Sequence, residues 1–388
     1  MKIRVPDYYD NFKCIAGACT DTCCAGWQVD VDDASYEYYK SIHGEFGDRL
    51  HSVMIDGKKG AEGQFRIRPD GRCPFLNDDN LCDLYAALGE EALCVTCDQY
   101  PRYTTEFGSL RETGIALSCK TAAELILREN RTPGFEEWDD PEEFPSLNNI
   151  DAELFYSLME ARDKAYEIVS NRKYNIWDRI SVLVYYATDL QKNIKKTSSI
   201  KEVINRYDDT YADKALEAVR REKYPEFDIY DTYKGYFYSY LKQVIIKKEW
   251  PDIVYSVYDN VLKEGHGELL HKFGEYYRDR EYEYENLITY FIFRYFMKAV
   301  FDRDVLTKVK MGVVSLLIIY QCDIAHWATH NHKLEFTDQV EITHLYSREV
   351  EHSEENFEAL CKLFARKKMF APKKLVMLLQ KNAERKLL

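Results

Sequence analysis

The cysteines of this chain are concentrated at one end. The 388-residue sequence has 11 cysteines, and nine of them precede residue 120. These nine form two spaced groups and one single position: Cys14, Cys19, Cys23 and Cys24; Cys73, Cys82, Cys94 and Cys97; and Cys119. Thiols crowded in this way form disulfides, bind a metal ion or hold an iron–sulfur cluster. Which of these applies limits how the first third of the chain can fold.

The N-terminal sequence favours bound metal over disulfides. Residues 1–10 lack the apolar stretch and the small-residue cleavage site of a secretory signal. The longest apolar run, at residues 311–320, is shorter than the roughly 20 residues that cross a bilayer. We therefore expect a soluble, cytoplasmic protein without a membrane partner, in which thiols stay reduced.

Charge is unevenly distributed along the chain. The formal net charge is −13; residues 1–130 carry 14 basic and 22 acidic side chains, and residues 131–160 carry one basic and nine acidic. Contacts to phosphate need basic patches, so the acidic first half argues against nucleic acid as a partner. The same charge would tolerate a lysine-bearing partner.

We predict a mostly α protein, with an irregular cysteine-rich metal or Fe–S module followed by an all-helical domain. Residues 1–130 form the module, with helices only at about 33–40 and 121–129. Residues 131–147 combine three prolines, one glycine and six acidic residues, which is typical of a linker or a surface strap. Residues 148–388 show apolar residues at helical spacing, which predicts a helical domain that binds a substrate or partner. Its later amphipathic stretches are 213–222, 232–248, 251–263, 268–279, 284–301, 305–328, 336–349, 353–366 and 372–386.

Spacing alone leaves zinc and iron–sulfur ligation open. Zinc commonly takes two close pairs, here Cys19 with Cys23 and Cys94 with Cys97. Iron–sulfur clusters also take four thiolates, often from a compact group and a distant one. Adjacent Cys23 and Cys24 are awkward ligands for one zinc ion, since their sulfurs rarely point at the same place.

The segments around the cysteines carry a family resemblance. In order along the chain they are Phe12-Lys13-Cys14, Cys19-Thr20-Asp21-Thr22-Cys23-Cys24-Ala25-Gly26-Trp27, Cys73-Pro74-Phe75-Leu76, Leu81-Cys82, Leu88-Gly89-Glu90, Cys97-Asp98-Gln99-Tyr100-Pro101-Arg102 and Leu117-Ser118-Cys119. Together, over roughly residues 8–127, they resemble the opening of the flagellin lysine-N-methylases (FliB). The layout is also similar to a wider group of cysteine clusters that chelate zinc or iron.

The resemblance implies a cytoplasmic enzyme that transfers methyl groups from S-adenosylmethionine to lysine side chains of flagellin. It also implies a [4Fe-4S] cluster, with zinc as the alternative. The metal positions that it carries over are Cys14, Cys19, Cys23, Cys24, Cys73, Cys82, Cys97 and Cys119. Cys94 falls outside the pattern, since family members often have serine there, and is either a spare thiol or a competing ligand.

The chemistry implied by the resemblance can be compared with the rest of the sequence. Methyl transfer needs a neutral lysine amine, although free lysine has a pKa of ~10.4, so a base or a desolvating site is required. Tyrosines are dense at residues 236–240, 276–284 and 290–295 and would suit an aromatic box around a cation, but aromatic residues at helical spacing mostly pack cores. The sequence identifies no catalytic residue, no Gly-rich nucleotide loop and no C-x3-C-x2-C motif.

Individual residues add weaker signals. Arg102 is a candidate to bind the carboxylate of the cofactor's methionine moiety, although a loop salt bridge is the commoner role. We expect Trp27 to cover the cysteine cluster and Asp21 to cap a turn or bind amides around the sulfurs. His326 and His330 have a spacing that can bind metal, but the sequence lacks the Glu of H-E-x-x-H, which favours ordinary histidines at a helix end.

Two other functions stay open from the sequence. The first is a non-enzymatic metal or Fe–S protein whose helices bind a partner. The second is a related enzyme that modifies a different protein or peptide.

Overall fold

The computed structural model describes residues 1–26, 29–57, 63–145, 150–221 and 224–383. The strands lie in the first 139 residues: β1 Lys2–Pro6, β2 Asp30–Val31, β3 Met54–Asp56, β4 Gly63–Phe65, β5 Arg102–Phe107, β6 Leu110–Ile115 and β7 Phe135–Asp139. Short helices separate them: α1 Asp33–Ser41, α2 Glu45–Val53, α3 Asp83–Leu88, α4 Val95–Gln99 and α5 Lys120–Arg128. The predicted helices at 33–40 and 121–129 are confirmed as α1 and α5.

The described chain after residue 150 is helical, which confirms the mostly α prediction. Its helices are α6 Ala152–Ser170, α7 Ile176–Asn193, α8 Thr197–Arg206, α9 Asp209–Arg220, α10 Glu226–Leu241, α11 Trp250–Asn260, α12 His266–Tyr276, α13 Tyr282–Tyr295, α14 Ala299–Asp302, α15 Val305–Thr329, α16 Phe336–Val350, α17 Glu354–Arg366 and α18 Pro372–Ala383. Each amphipathic stretch predicted beyond residue 210 corresponds to one of them. Helix α8, with its buried Ile200 and Val203, was not predicted.

The first third is less irregular than predicted. Strands β5, β6, β1 and β7 form one sheet in that order, with β1 parallel to β6 and antiparallel to β7. Strands β2, β4 and β3 form a second, smaller sheet. These strands have two to six residues. In strands this short, apolar and polar residues alternate over too few positions to predict a sheet. In addition, β1 and its partner β6 are far apart in the sequence.

The segment at 131–147, predicted as a linker or a surface strap, contains a strand. Strand β7 lies within it and pairs with β1, with Ile3 opposite Trp138. As an edge strand it keeps its Glu and Asp side chains exposed, so a strongly acidic sequence is compatible with a strand there. Residues 146–149, which include the predicted start of the helical domain, lie outside the described residues.

The buried residues form two cores that divide the chain differently from the predicted boundary at residue 130. The larger core unites the helices with side chains from the larger sheet and from α5, such as Phe12, Ile115 and Ile126. The smaller core consists of Val29, Val31, Tyr39, Leu50, Phe65, Cys73, Phe75, Leu76, Leu84, Ala92 and Cys94. We call residues 13–97 the cysteine region, and residues 1–12 with 101–383 the main region.

Helix α15 runs through the larger core. Among the described residues it is long and apolar enough to cross a membrane by length and composition, yet 89% of that stretch is buried inside the protein. It packs closely on α13: a Cβ at Gly312 would lie 2.7 Å from the side chain of Phe291. Glycine is therefore required at residue 312 for the two helices to approach.

A buried ion pair joins the larger sheet to the helices. Arg162 on α6 donates from both terminal nitrogens to Glu112 on β6, with an Nη1–Oε2 distance of 2.7 Å. Arg162 is fully buried and Glu112 is 3% exposed. Such a pair is sensitive to the loss of either partner, because the other would remain buried and charged.

Candidate functional site

Six cysteine side chains line one small cavity of about 50 Å³ in the cysteine region. They are Cys23, Cys24, Cys73, Cys82, Cys94 and Cys97. The other walls are apolar or aromatic: Val29, Tyr39, Phe65, Phe75, Leu84, Leu93 and Tyr100. Thiols from separate parts of the sequence are therefore brought to one place, inside an apolar shell.

Backbone pairing brings the two cysteine groups together. The amide of Cys73 donates to the carbonyl of Cys24 at 2.7 Å, next to a β-bridge between Ala25 and Arg72. A second bridge, between Leu76 and Cys82, folds the following turn back on itself. The turns that the sequence predicts around residues 70–80 thus position Cys73 and Cys82.

Two pairs of thiols interact at the cavity. The sulfurs of Cys23 and Cys24 are 3.9 Å apart, and the hydrogen bond from Cys23 lowers the pKa of Cys24 to about 7. Likewise, the hydrogen bond from Cys97 lowers the pKa of Cys94 below its usual value. One sulfur of each pair is therefore favoured as the thiolate, which is the form that binds metal.

The other two sulfurs are favoured in the protonated form. Burial raises the pKa of Cys73 to about 12, and burial also raises the pKa of Cys82. A cation at the cavity would reverse this preference, since thiolate ligation to a metal deprotonates the thiol.

The remaining predicted ligands lie in a second group beside the cavity. Cys14 is exposed, whereas Cys19 and Cys119 are partly buried. The pKa of Cys119 is raised to about 11, mainly by burial and to a smaller extent by the nearby Cys19 and Cys14. The predicted set of eight therefore separates into five sulfurs at the cavity and three outside it, while Cys94 joins the cavity.

The cysteines at the cavity are candidate ligands for a metal ion or an Fe–S cluster. All 11 cysteines are free thiols. Within the described ranges, no three His, Cys, Asp or Glu side chains stand close enough to hold one metal ion. The donor set nevertheless fits zinc or an Fe–S cluster in number and chemistry, because both take four thiolates and six line the cavity. The assignment of eight cysteines as metal ligands stays a prediction.

Charged contacts connect the cysteine region to α16 and to the turn before α11. The carboxylate of Asp21 accepts a hydrogen bond from Lys247 Nζ at 2.7 Å and a second one from His344. Burial raises the pKa of Asp21, but these hydrogen bonds outweigh it and hold that pKa well below its usual range. Arg348, also on α16, donates to the carbonyl of Ala25. The loop that carries Cys23 and Cys24 is thus fixed to the main region on both sides.

The other residues that the sequence analysis named make contacts typical of a structural role. The guanidinium of Arg102 lies over the rings of Tyr9 and Phe12, at 5.8 and 5.4 Å from their centroids. His326 and His330 stack at 3.8 Å near the end of α15. Trp27 lies outside the described residues. A role for Arg102 at the cofactor stays a prediction.

The dense tyrosines surround buried charges. Tyr290 and Tyr295 hydrogen-bond to Glu351, and Arg294 lies among them. In the same way Tyr284 donates to the buried Asp323 at 2.7 Å. These rings are part of the larger core.

Sequence reasoning missed several residues of this site. Lys247, His344 and Arg348 belong to no motif, and nothing in the linear sequence connects them to Asp21. Cys94 was not missed in this way, because its C-x2-C spacing from Cys97 already marked it as one of a pair of ligands. The family pattern excluded it.

Comparison with known proteins completes the description. Residues 162–378 match the model of the FliB lysine N-methylase C-terminal domain. The chain is similar to the lysine-N-methylases of Salmonella choleraesuis (strain SC-B67) and Salmonella typhimurium (strain LT2), each 26% identical over 133 residues, which is 33% of this chain and 33% of the relative. It is also similar to the flagellar biosynthetic protein FliU of Salmonella muenchen, 26% identical over 135 residues, which is 33% of this chain and 79% of that protein. The matched part thus spans about a third of the length of the two lysine-N-methylases. No solved structure matches the chain.

Proposed function

Because the chain belongs to the FliB lysine N-methylase family, whose C-terminal domain model it matches over more than half its length, we propose that it methylates lysine side chains of proteins. We further propose S-adenosylmethionine as the methyl donor, flagellin as the substrate and the cytoplasm as the place of reaction. The family match over residues 162–378 is the observation that carries the proposal. The name of the FliU relative adds a flagellar context.

The reaction is a displacement at carbon. The lone pair of a neutral lysine nitrogen forms a new bond to the methyl carbon, while the bond from that carbon to the sulfonium sulfur breaks. The electron pair of the broken bond stays on sulfur, and the ammonium formed on lysine loses its proton to a base or to solvent. The products are methyl-lysine, S-adenosylhomocysteine and a proton. Holding the two reactants in line supplies a large part of the rate enhancement in such reactions.

We propose that the cysteine-lined cavity holds a [4Fe-4S] cluster or, as the alternative, zinc. The cavity cysteines that belong to the set implied by the resemblance are Cys23, Cys24, Cys73, Cys82 and Cys97, and Cys94 is a sixth donor. The bound group would supply cross-links to a small domain. The size of the smaller core supports this role, because it has 11 buried residues within the described chain, and such small cores rarely suffice without disulfides or metal.

The experiment begins with protein purified without oxygen. Iron, sulfide and zinc are quantified, and the protein is then incubated with flagellin and S-adenosylmethionine that carries an isotopically labelled methyl group. Mass spectrometry locates labelled methyl-lysine. We expect transfer to flagellin, and the same reaction without flagellin measures automethylation.

Other outcomes identify the alternatives. Bound metal with no transfer to any lysine-bearing protein would favour a non-enzymatic metal protein. Transfer to other proteins but not to flagellin would support the proposed methylase activity and contradict flagellin as the substrate. Methyl transfer that does not need S-adenosylmethionine would contradict the proposal that this compound is the methyl donor.

A further inference from the structure

A second cavity lies in the main region between α7, α9 and α18. Its volume is about 410 Å³, compared with about 50 Å³ at the cysteines and about 120 Å³ for a cavity between α6, α7 and α9. Pockets for ligands of drug size measure about 300–1,000 Å³, so only the first of these three is large enough. Its lining residues run from Tyr185 to Val376 and all fall inside the range of the family model.

The lining of this cavity combines aromatic rings with charges of both signs. Tyr185, Tyr211 and Tyr224 supply the rings, and Asp189, Lys192 and Lys373 supply the charges. The buried Val219 and Val376 complete its apolar part. A ligand that suits such a lining has a flat ring system, a cation and an anion.

One wall of the cavity is held rigidly. The rings of Tyr211 and Tyr207 lie 4.4 Å apart, and the hydroxyl of Tyr207 donates to Asp189 at 3.0 Å. Asp208, the N-cap of α9, accepts from the amide of Tyr211 at 2.8 Å and fixes the start of that helix. Ring and carboxylate are therefore positioned before a ligand arrives, which reduces the entropic cost of binding.

We propose that this cavity binds the S-adenosyl methyl donor, an inference that rests on the proposed function. The purine stacks on tyrosine rings, and aromatic faces also attract the positive sulfonium. Asp189, which also pairs with Lys192 at 2.9 Å and with Arg206 at 3.4 Å, places a carboxylate beside the position of the sulfonium and the amino group. Lys373 adds positive charge on the α18 side of the cavity, where it suits the ligand's carboxylate. The cavity at the cysteines is too small for this ligand.

The test measures the affinity of S-adenosylhomocysteine for the full chain by calorimetry. This product lacks the reactive methyl group but retains the purine and the amino acid. We expect Tyr211→Ala to weaken binding roughly tenfold, because it removes a stacking surface. Tyr211→Phe keeps the ring and should retain wild-type affinity. Tyr255→Ala is the matched control, since Tyr255 is a 54% exposed tyrosine on α11, away from the three cavity helices.

A second variant covers the case in which Tyr211→Ala fails to fold, which far-UV circular dichroism will reveal. Lys373→Glu places an acidic residue in the first turn of α18, where the helix dipole favours it, so the fold should persist. We expect it to weaken binding severalfold by repelling the carboxylate.

The outcomes separate this inference from the proposed function. If S-adenosylhomocysteine binds the wild type and the folded variants equally, the cavity assignment is wrong and the methylase proposal stands. If the wild type binds no S-adenosyl compound, the proposed donor fails and the cavity assignment fails with it. Displacement by ATP at equal concentration would overturn the assignment in favour of a nucleotide site.

Discussion

The cysteine region and the main region are held together by different kinds of contact. The main region packs helices around α15 and buries several complete ion pairs. The smaller core of the cysteine region contains 11 buried residues within the described chain, and two of them are cysteines. Burial of apolar surface is the main source of folding free energy, and the larger core supplies far more of it than the smaller core does. The small core of the cysteine region is the reason why we propose a further cross-link there through its thiols.

The largest expected effect in the main region comes from its buried ion pair. Arg162→Ala should lower the free energy of unfolding by roughly 3 kcal/mol, because Glu112 would remain buried with only the longer contact to Arg4, at 3.7 Å. Urea denaturation followed by circular dichroism measures this change. As a control, Arg221→Ala removes a pair with Glu217 whose partners are 75% and 65% exposed. A change below about 1 kcal/mol at Arg162 would contradict a tightly coupled interface.

Matched leucine truncations test the independence of the two cores. Leu50 belongs to the smaller core and Leu316 to the larger, and both are fully buried. Each Leu→Ala change should lower the free energy of unfolding of its own core by roughly 2–5 kcal/mol. Leu50→Ala should speed proteolysis within residues 29–97 and leave the main melting transition in place, whereas Leu316→Ala should lower that transition. Equal loss of the main transition in both variants would mean that the chain has a single cooperative unit.

Acid should weaken the main region through His266. Burial lowers the pKa of this histidine to about 4 from 6.5, and its Nε2 lies 3.0 Å from Gln321 Oε1. Between these pH values the unfolded chain binds a proton that the folded chain does not. The free energy of unfolding should therefore fall by up to roughly 3 kcal/mol as the pH drops from 6.5 to 4, with no further loss from this group below pH 4.

Denaturation curves at several pH values measure this loss. His266→Gln should flatten the dependence on pH, and His271→Gln on the same helix controls for replacing a histidine. An unchanged slope in His266→Gln would assign the acid sensitivity to other groups.

The smallest expected effects come from helix caps. Asp208→Ala removes the N-cap of α9 and should cost about 1 kcal/mol. Asp32 caps α1 through the amide of Ser35 and also accepts from the amide of Val95 at 2.9 Å. Asp32→Ala should therefore lower the free energy of unfolding more than Asp208→Ala does. Thermal melts of the two regions measure both changes. Equal costs would mean that the Val95 contact contributes nothing.

The sequence predicted the parts of the fold that depend on local pattern. The helices beyond residue 210 follow from their amphipathic spacing, and α1 and α5 were predicted as the two short helices of the cysteine-rich module. The larger sheet was missed because β1 and β6 are more than 100 residues apart and each is short. Strand β7 was missed because its sequence is acidic. It lies at the exposed edge of the sheet, so Glu136 and Asp139 stay in solvent and no charge is buried.

The candidate site was predictable only in part for the same reason. Spacing brought Cys94 and Cys97 together as a pair, but only the fold brings Cys73 and Cys82 to the same cavity. The contacts of Asp21 with Lys247 and His344 span more than 220 residues, and no local pattern encodes them. The tyrosine-lined cavity draws residues from α7, α9 and α18 in the same way.

The burial of α15 has a consequence for how this chain is made and shortened. Its apolar surface is covered in part by α16 and α17, which follow it in the sequence. The ribosome therefore releases this 25-residue apolar helix before the later helices that cover the rest of its surface exist. A chain cut after Thr329 would leave the surface that α16 and α17 cover exposed to water, so expression trials that remove these helices should yield inclusion bodies.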